Sequence, residues 1–569
     1  MKRILSFGLI VFVIGSTFAF PQTRRRNASQ IPDGEPFKLT TGSSFSASRQ
    51  SAVVNAEPNS QLNITQDYTE ALEAIRKNYV GGSRIDYSEL TKSAITSMLR
   101  TLDPHSNYFD AAEYEDLLTD QQSEYFGIGA TIANYMRDGK YETFIISTFS
   151  ESPAYKANLH FGDKIVAVNG ENVSGKDSSV VRDKVRGRKG SIVRLTIERA
   201  DTRTREIVEI RRNRVPQPSI PDAYLLRGNI GYIDMSEGFN YTTYDELEAA
   251  LADLHARGMS SVILDLRNNP GGILDQAVKV AEKFLPAGDT ILTQRGRTKI
   301  DNRVWKSANR QAETMPLVVL VNEGSASASE IVAGALQDYD RAFIIGENTF
   351  GKGLVQSIIN LPYGSGLTLT TAKYYTPSGR SIQRDYSSGN LYDYFLHKGQ
   401  IAESAKTPSK TVTGRTVYGG DGIAPDETIK EPELNEAQIA LLDPLFFFTS
   451  ELAAGRVRNF ESFKISEQFK YGQRISSNNF PFSDELFDVF KKFVLGEKTW
   501  NVSAEQIEQE KSFVKTRLRY NLATAGYGSV AANQILIEED MQVARAIEAL
   551  PKAKQLALAA QKSQQKQNR

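Results

Sequence analysis

Three serines crowd one short stretch, Val321-Asn322-Glu323-Gly324-Ser325-Ala326-Ser327-Ala328-Ser329-Glu330. The apolar run Leu317-Val318-Val319-Leu320-Val321 ends in it, and Ile331, Val332, Ala335 and Leu336 follow at helical spacing. The pattern predicts a buried strand, a tight turn and a helix. A serine at that helix start meets free backbone N–H groups and the positive end of the helix dipole, which suits a nucleophile whose substrate develops an oxyanion. Serine is equally an ordinary N-cap, and small residues let a helix pack closely on a sheet. The turn alone does not choose between these readings.

A serine attacks poorly unless a base takes its proton. The chain holds four histidines, His105, His160, His255 and His397, none beside the serine turn and no two at HExxH spacing. His105 reads as a polar residue in a structured turn rather than as a base. There is no cysteine, which excludes disulfides, a thiol nucleophile and thiolate zinc sites. Lysine can be the base only when burial keeps it neutral. Lys352 stands between Gly351 and Gly353 in an uncharged stretch, with Gln356 four residues on to hold its amine. Gly271 and Gly272 let a backbone approach a carbonyl closely. Their N–H groups, with that of Ala328, could form an oxyanion hole. The run from Gly346 to Lys352 matches G-x-x-x-x-G-K, but Gly353 replaces the Ser/Thr of a phosphate loop.

Each of these groups follows an apolar run. Val262-Ile263-Leu264-Asp265-Leu266 leads to Asn269-Pro270-Gly271-Gly272, the central run to the serine turn, and Phe343-Ile344-Ile345 to the lysine loop. Helical patterns lie between them, marked by Leu247, Leu251 and Leu254 and by Leu274, Ala277, Val278, Ala281 and Leu285. Alternation of this kind predicts a parallel sheet with right-handed crossovers, whose ligands gather beyond the C-terminal strand ends.

Residues 124–212 read as short strands and turns, and they resemble a PDZ domain. Phe126-Gly127-Ile128-Gly129, the Ser152-Pro153-Ala154 helix start and Gly162-Asp163-Lys164-Ile165 through Asn169-Gly170 carry that resemblance. It implies capture of a peptide C-terminus in backbone N–H groups at Phe126 to Gly129, with Ile128, Val181 and Val185 lining an apolar pocket.

The core resembles the C-terminal processing peptidases, or tail-specific proteases. The matching stretches are Leu264 to Gly272, Val321 to Glu330, Gly346 to Gln356, and Leu369 to Gln383. The resemblance covers about 65 to 430 and implies a Ser-Lys endopeptidase. Its nucleophile is the middle serine, Ser327, and its base is Lys352, 25 residues on. Gln356 orients the lysine, and the oxyanion glycine falls in the Gly271-Gly272 pair, with Gly272 preferred. It implies no cofactor and no metal, and protein or peptide substrates with apolar C-termini.

The expected organisation is a multidomain α/β chain, with a parallel or mixed-sheet serine-protease core, an inserted PDZ domain and helical N- and C-terminal regions. Residues 1–20 read as a signal peptide or a retained membrane anchor, with Lys2 and Arg3 before an apolar run. Residues 21–60 read as a flexible linker, 61–123 as a helical region, 213–430 as the core, and 431–569 as a helical domain with a disordered Gln-rich tail from Lys562. The expected location is exported: periplasmic, or anchored in the inner membrane facing outward. The helical regions offer surfaces for homo-oligomer formation. Lys+Arg and Asp+Glu each number 68, so net charge gives no case for nucleic acid. The competing reading is an exported, non-catalytic PDZ adaptor.

Overall fold

The computed structural model describes residues 61–120, 124–387, 394–395, 407–465, 475 and 479–567. The expected signal or anchor, the linker and His397 lie outside these residues. Among the described residues no helix is long and apolar enough to cross a membrane.

The chain divides into two compact units, with a boundary between Leu102 and Asp103. The smaller one is described from Gln61 and holds the helices Gln61–Asn78 and Tyr87–Arg100. Asp86 starts the second helix by accepting the N–H groups of Ser88 and Glu89. This boundary falls inside the stretch 61–123 that the sequence reads as one helical region. Asn107–Phe109 forms a strand antiparallel to Gly366–Tyr375, so residues from Asp103 onward belong with the larger unit.

The centre of the larger unit is a six-stranded sheet. Its order is Ala223–Leu226, Ile230–Asp234, Ser261–Asp265, Leu317–Val321, Phe343–Gly346 and Glu427–Thr428. All neighbours are parallel except the first pair. Side chains alternate between its faces with the strand period of two. Val262, Leu264, Leu317, Val319, Val321 and Ile344 meet the helices Thr243–Ala256, Leu274–Glu282 and Ala328–Asp338. Ile263, Val318, Leu320, Phe343 and Ile345 face the other way, onto Val543, Ala546, Ala549, Leu550 and Ala553 of the long helix Met541–Gln567.

The C-terminal helices are therefore part of the core's packing. Met541–Gln567 closes the second face of the parallel sheet. Glu436–Ala453 and its neighbours cover the PDZ sheet, where Tyr135 stacks on Phe446 with ring centroids 3.7 Å apart. The tail expected to lack order from Lys562 continues as helix to Gln567, in keeping with the high helix propensity of Gln, Lys and Ala.

The PDZ sheet runs Ala130–Arg137, Lys140–Thr148, Lys164–Val168, Ile192–Glu198 and Arg205–Arg211, with Glu171–Asn172 paired to the third strand. A further five-stranded antiparallel sheet flanks the core. In it the hairpin Leu354–Asn360 with Gly366–Tyr375 carries the chain away from the lysine loop.

Candidate active site

Register brings three strand ends level. Asp265 pairs with Leu320, and Val321 with Gly346, so the glycine loop, the serine turn and the lysine loop leave the sheet side by side.

The three serines do different things. Ser325 is fully buried; its hydroxyl donates to the Leu266 carbonyl at 2.7 Å and accepts the Asn322 N–H at 3.0 Å. Ser329 is also fully buried and donates to the Asn269 carbonyl at 2.9 Å. Both tie the serine turn to the loop after the neighbouring strand. Ser327 bonds neither carbonyl and is only half-buried. Its backbone sits at φ 55°, ψ −109°, outside the comfortable regions for a side-chain-bearing residue, at a cost of about 1–3 kcal/mol. A strand, a strained turn and a helix together lift a serine hydroxyl to the top of a sheet.

Glu330, three residues into the same turn, joins the serine to the lysine loop. It is fully buried. Its Oε2 accepts the N–H of Ser327 at 2.8 Å and of Lys352 at 2.9 Å; its Oε1 accepts the Gly351 N–H at 2.7 Å and the Thr349 hydroxyl at 2.6 Å. Burial pushes this carboxyl up to about 7, against the pull of those four donors. The Tyr374 hydroxyl makes a second bridge, donating to the Ser327 carbonyl at 3.0 Å and to that of Lys352. Sequence reading assigned neither Glu330 nor Tyr374 a role. The Ser-x-x-Glu spacing at a helix start was the available signal for Glu330; nothing local pointed to Tyr374.

Lys352 is half-buried, and desolvation brings its amine down to about 8, opposed by the negative charges of Glu330 and Asp103. The hydrogen bonds of the described residues include none between Lys352 Nζ and Ser327 Oγ. Gln356 donates to the Thr370 hydroxyl at 3.1 Å rather than to the Lys352 amine.

The glycine loop lies directly against the serine. A Cβ on Gly271 (φ +95°) would stand 2.6 Å from the Ala326 carbonyl oxygen and 2.8 Å from Ser327 Cβ. Gly271 N–H is already engaged by Asn269 Oδ1 at 2.9 Å, so it is not available to an oxyanion in this arrangement. The N–H groups of Gly272 and Ala328 have no acceptor among the described residues, and Gly272 (φ +140°) leaves no room for a Cβ beside the Phe239 carbonyl. Among the described residues no cluster of His, Asp or Glu could hold a metal ion.

In the PDZ part, Gly127 ends a strand paired with Asn213–Pro216, and Phe126 lies beneath the Lys189 ammonium, 5.6 Å from its ring centroid. The Ile128 carbonyl accepts the Ala154 N–H at 2.7 Å, whereas the N–H groups of Ile128 and Gly129 have no acceptor among the described residues. The side chains of Ile128, Val181 and Val185 are buried together in the PDZ core. The helix Ser178–Val185, which carries the two valines, lies beside the edge strand Ala130–Arg137.

Comparison with known proteins identifies the family. Residues 229–390 match peptidase family S41, and residues 146–199 match the PDZ domain. A carboxy-terminal-processing protease of Bartonella bacilliformis is 38% identical over 405 residues, covering 68% of this chain and 90% of that one. A probable CtpA-like serine protease of Staphylococcus epidermidis is 36% identical over 346 residues, covering 60% and 68%. The solved photosystem II D1 C-terminal processing protease is 27% identical, covers 64% of this chain and 92% of its own, and has a TM-score of 0.33. With its serine turn and glycine loop on adjacent strand ends and a PDZ domain ahead of them, the chain belongs to peptidase family S41, among the carboxy-terminal-processing serine proteases.

Proposed function

We propose that the chain is an exported endopeptidase in which Ser327 is the nucleophile and Lys352 the base, acting on proteins whose apolar C-termini the PDZ domain recruits. The observation that carries this reading is the shared carboxylate of Glu330, which fixes the backbones of Ser327 and Lys352 to one oxygen. A serine in a strained turn and a desolvated lysine are thereby held on adjoining loops.

Neutral Lys352 takes the Ser327 proton as Oγ attacks the scissile carbonyl carbon. The oxyanion forms beside the N–H groups of Gly272 and Ala328, where backbone dipoles require no reorganisation. The tetrahedral intermediate collapses as the C–N bond breaks, and the Lys352 ammonium gives its proton to the leaving amine. Neutral Lys352 then takes a proton from water, hydroxide attacks the acyl-enzyme, and Ser327 recovers its proton as the carboxylate product leaves. The lysine side chain must turn to bring Nζ to Oγ, and Gln356, which here donates to the Thr370 hydroxyl, is the group that would steady it there. At the PDZ domain, the N–H groups of Ile128 and Gly129 suit a terminal carboxylate, and the edge strand Ala130–Arg137 suits an added strand along the part before Met136, whose N–H donates to Asp443 at 3.3 Å.

The test is cleavage of an unfolded protein bearing an apolar C-terminal tail. Wild type should cleave it, and Ser327→Ala and Lys352→Ala should not. Cleavage surviving in Ser327→Ala would sink the assignment. Tail binding without cleavage by wild type would favour a peptide-binding adaptor.

A further inference from the structure

Among the described residues, His105 is the one histidine buried beside the lysine loop. It is 5% exposed, and its ring lies edge-on to Phe350, 6.3 Å between centroids, two residues before Lys352. Asp103 holds its backbone, accepting the N–H groups of His105 and Ser106 at 2.8 Å each. The ring therefore sits in a fixed turn rather than on a free rotor.

Hydrogen-bond direction determines the state of this ring. The Gly353 N–H can only donate, and it donates to Gln383 Oε1 at 2.8 Å. The amide nitrogen of Gln383 must then face the other way, and it donates to the Arg384 carbonyl at 2.7 Å and to the Tyr394 oxygen at 3.2 Å. The proton left on the Tyr394 hydroxyl has one acceptor among the described residues, His105 Nε2 at 2.7 Å. An accepting Nε2 places the ring proton on Nδ1 and leaves the imidazole neutral. Burial first, and the Lys352 charge second, lower His105 to about 2, so it stays neutral across the working range. A charged imidazole would repel the Lys352 ammonium; a neutral one adds no charge against it.

We infer that His105 is a positioning residue for Lys352: the chain His105–Tyr394–Gln383–Gly353 fixes the glycine-flanked lysine loop and so holds the amine in its desolvated place. The inference rests on the Ser327-Lys352 reading proposed above. The same turn reaches Gln356 by a second route. Ser106 Oγ donates to Asp103 Oδ2 at 2.6 Å and accepts the Thr370 N–H at 3.1 Å, and the Thr370 hydroxyl accepts from Gln356 at 3.1 Å. One buried turn thus braces both the lysine and the glutamine. The ionisable groups acting on Lys352 are Glu330 and Asp103, and Lys352 is the charge acting on His105.

The test compares wild type with Tyr394→Phe, His105→Leu and His105→Gln in the full chain. Competitive acetylation of Lys352 against pH, followed by mass spectrometry, reads the amine directly and needs no turnover. Wild type should titrate near 8. Tyr394→Phe and His105→Leu should move that midpoint up by about one unit, as solvent returns to the ammonium. The acid limb of kcat/KM should move with it, and kcat should fall about tenfold with KM nearly unchanged. His105→Gln, whose amide oxygen can take the Tyr394 proton, should recover most of the loss. An unchanged labelling midpoint and an unchanged pH profile in a Tyr394→Phe protein with native melting would overturn the inference, and that variant, which removes one oxygen, decides the matter if His105→Leu does not fold. Cleavage surviving in Lys352→Ala would instead overturn the Ser-Lys reading, and acetylation would still report on His105.

Discussion

Glu330 Oε2 accepts the Lys352 backbone N–H at 2.9 Å, and the same oxygen accepts the N–H of Ser327 at 2.8 Å. One buried carboxylate therefore fixes the distance between two loops that come from different strands. Glutamine at this position keeps the shape but has one acceptor oxygen for four donors. Glu330→Gln should lose at least two of these hydrogen bonds and leave buried donors unpaired, destabilising the protein by about 2–4 kcal/mol. Urea unfolding should show the shift in midpoint, and kcat should fall even where the variant is fully folded. A variant as stable and as active as wild type would show that the bridge is dispensable.

The same charges set a pH dependence. The lysine acts as base only when neutral, so kcat/KM should rise with pH through about 8 and fall roughly tenfold per unit below it. Glu330, when ionised, attracts the ammonium and raises Lys352. Removing that charge in Glu330→Gln should therefore move the acid limb to lower pH. A pH profile between 6 and 10 checks both statements, and an upward shift in the variant would contradict them.

Much of this site was legible from strand–turn–helix order. Apolar runs followed by Asn-Pro-Gly-Gly, the serine turn and Gly-Lys-Gly identified three loops that a parallel sheet must bring to one edge. Local reading could not say how those loops are held together. Asn269 binds the Gly271 N–H, Glu330 binds the lysine loop, and Tyr374 reaches the Ser327 carbonyl across 47 residues. Such bonds depend on register between distant strands. The packing of the C-terminal region was hidden for the same reason: the apolar face of Met541–Gln567 is plain in sequence, but the sheet it covers is not.

The glycine pair gives a steric prediction. A methyl group on Gly271 would meet Ser327 Cβ at 2.8 Å and the Ala326 carbonyl oxygen at 2.6 Å, both at a φ of +95°. Gly271→Ala should push the serine turn off its position. Displacement of a reacting group by about 1 Å costs on the order of 100-fold in rate. We expect kcat to fall by at least that much, with PDZ binding of a tail peptide unchanged. Gly272→Ala should be worse, since its Cβ would overlap the Phe239 carbonyl at 2.0 Å, and should also lower the melting temperature. Peptide affinity measured beside kcat separates a local steric effect from unfolding.

Arg267 gives the sharpest prediction about the C-terminal region. It follows the strand Ser261–Asp265, is 8% exposed, and pairs with Asp265 at 2.6 Å. It also reaches Asp540 at 2.7 Å and Gln542 at 2.8 Å, at the start of the helix that covers the sheet. Arg267→Met would leave Asp265 buried without its cation, which costs about 3–5 kcal/mol when one partner of a buried pair is removed. Ala553 tests the other end of the contact. It is fully buried against the sheet, so Ala553→Glu must either bury an unpaired charge or lift the helix away. Both variants should lower the melting temperature and open the segment after Asp540 to proteases. If Met541–Gln567 belonged to a separate domain, its release would leave the core's melting transition and its kcat in place. Because the helix supplies the second face of the catalytic sheet, melting and activity should fall together.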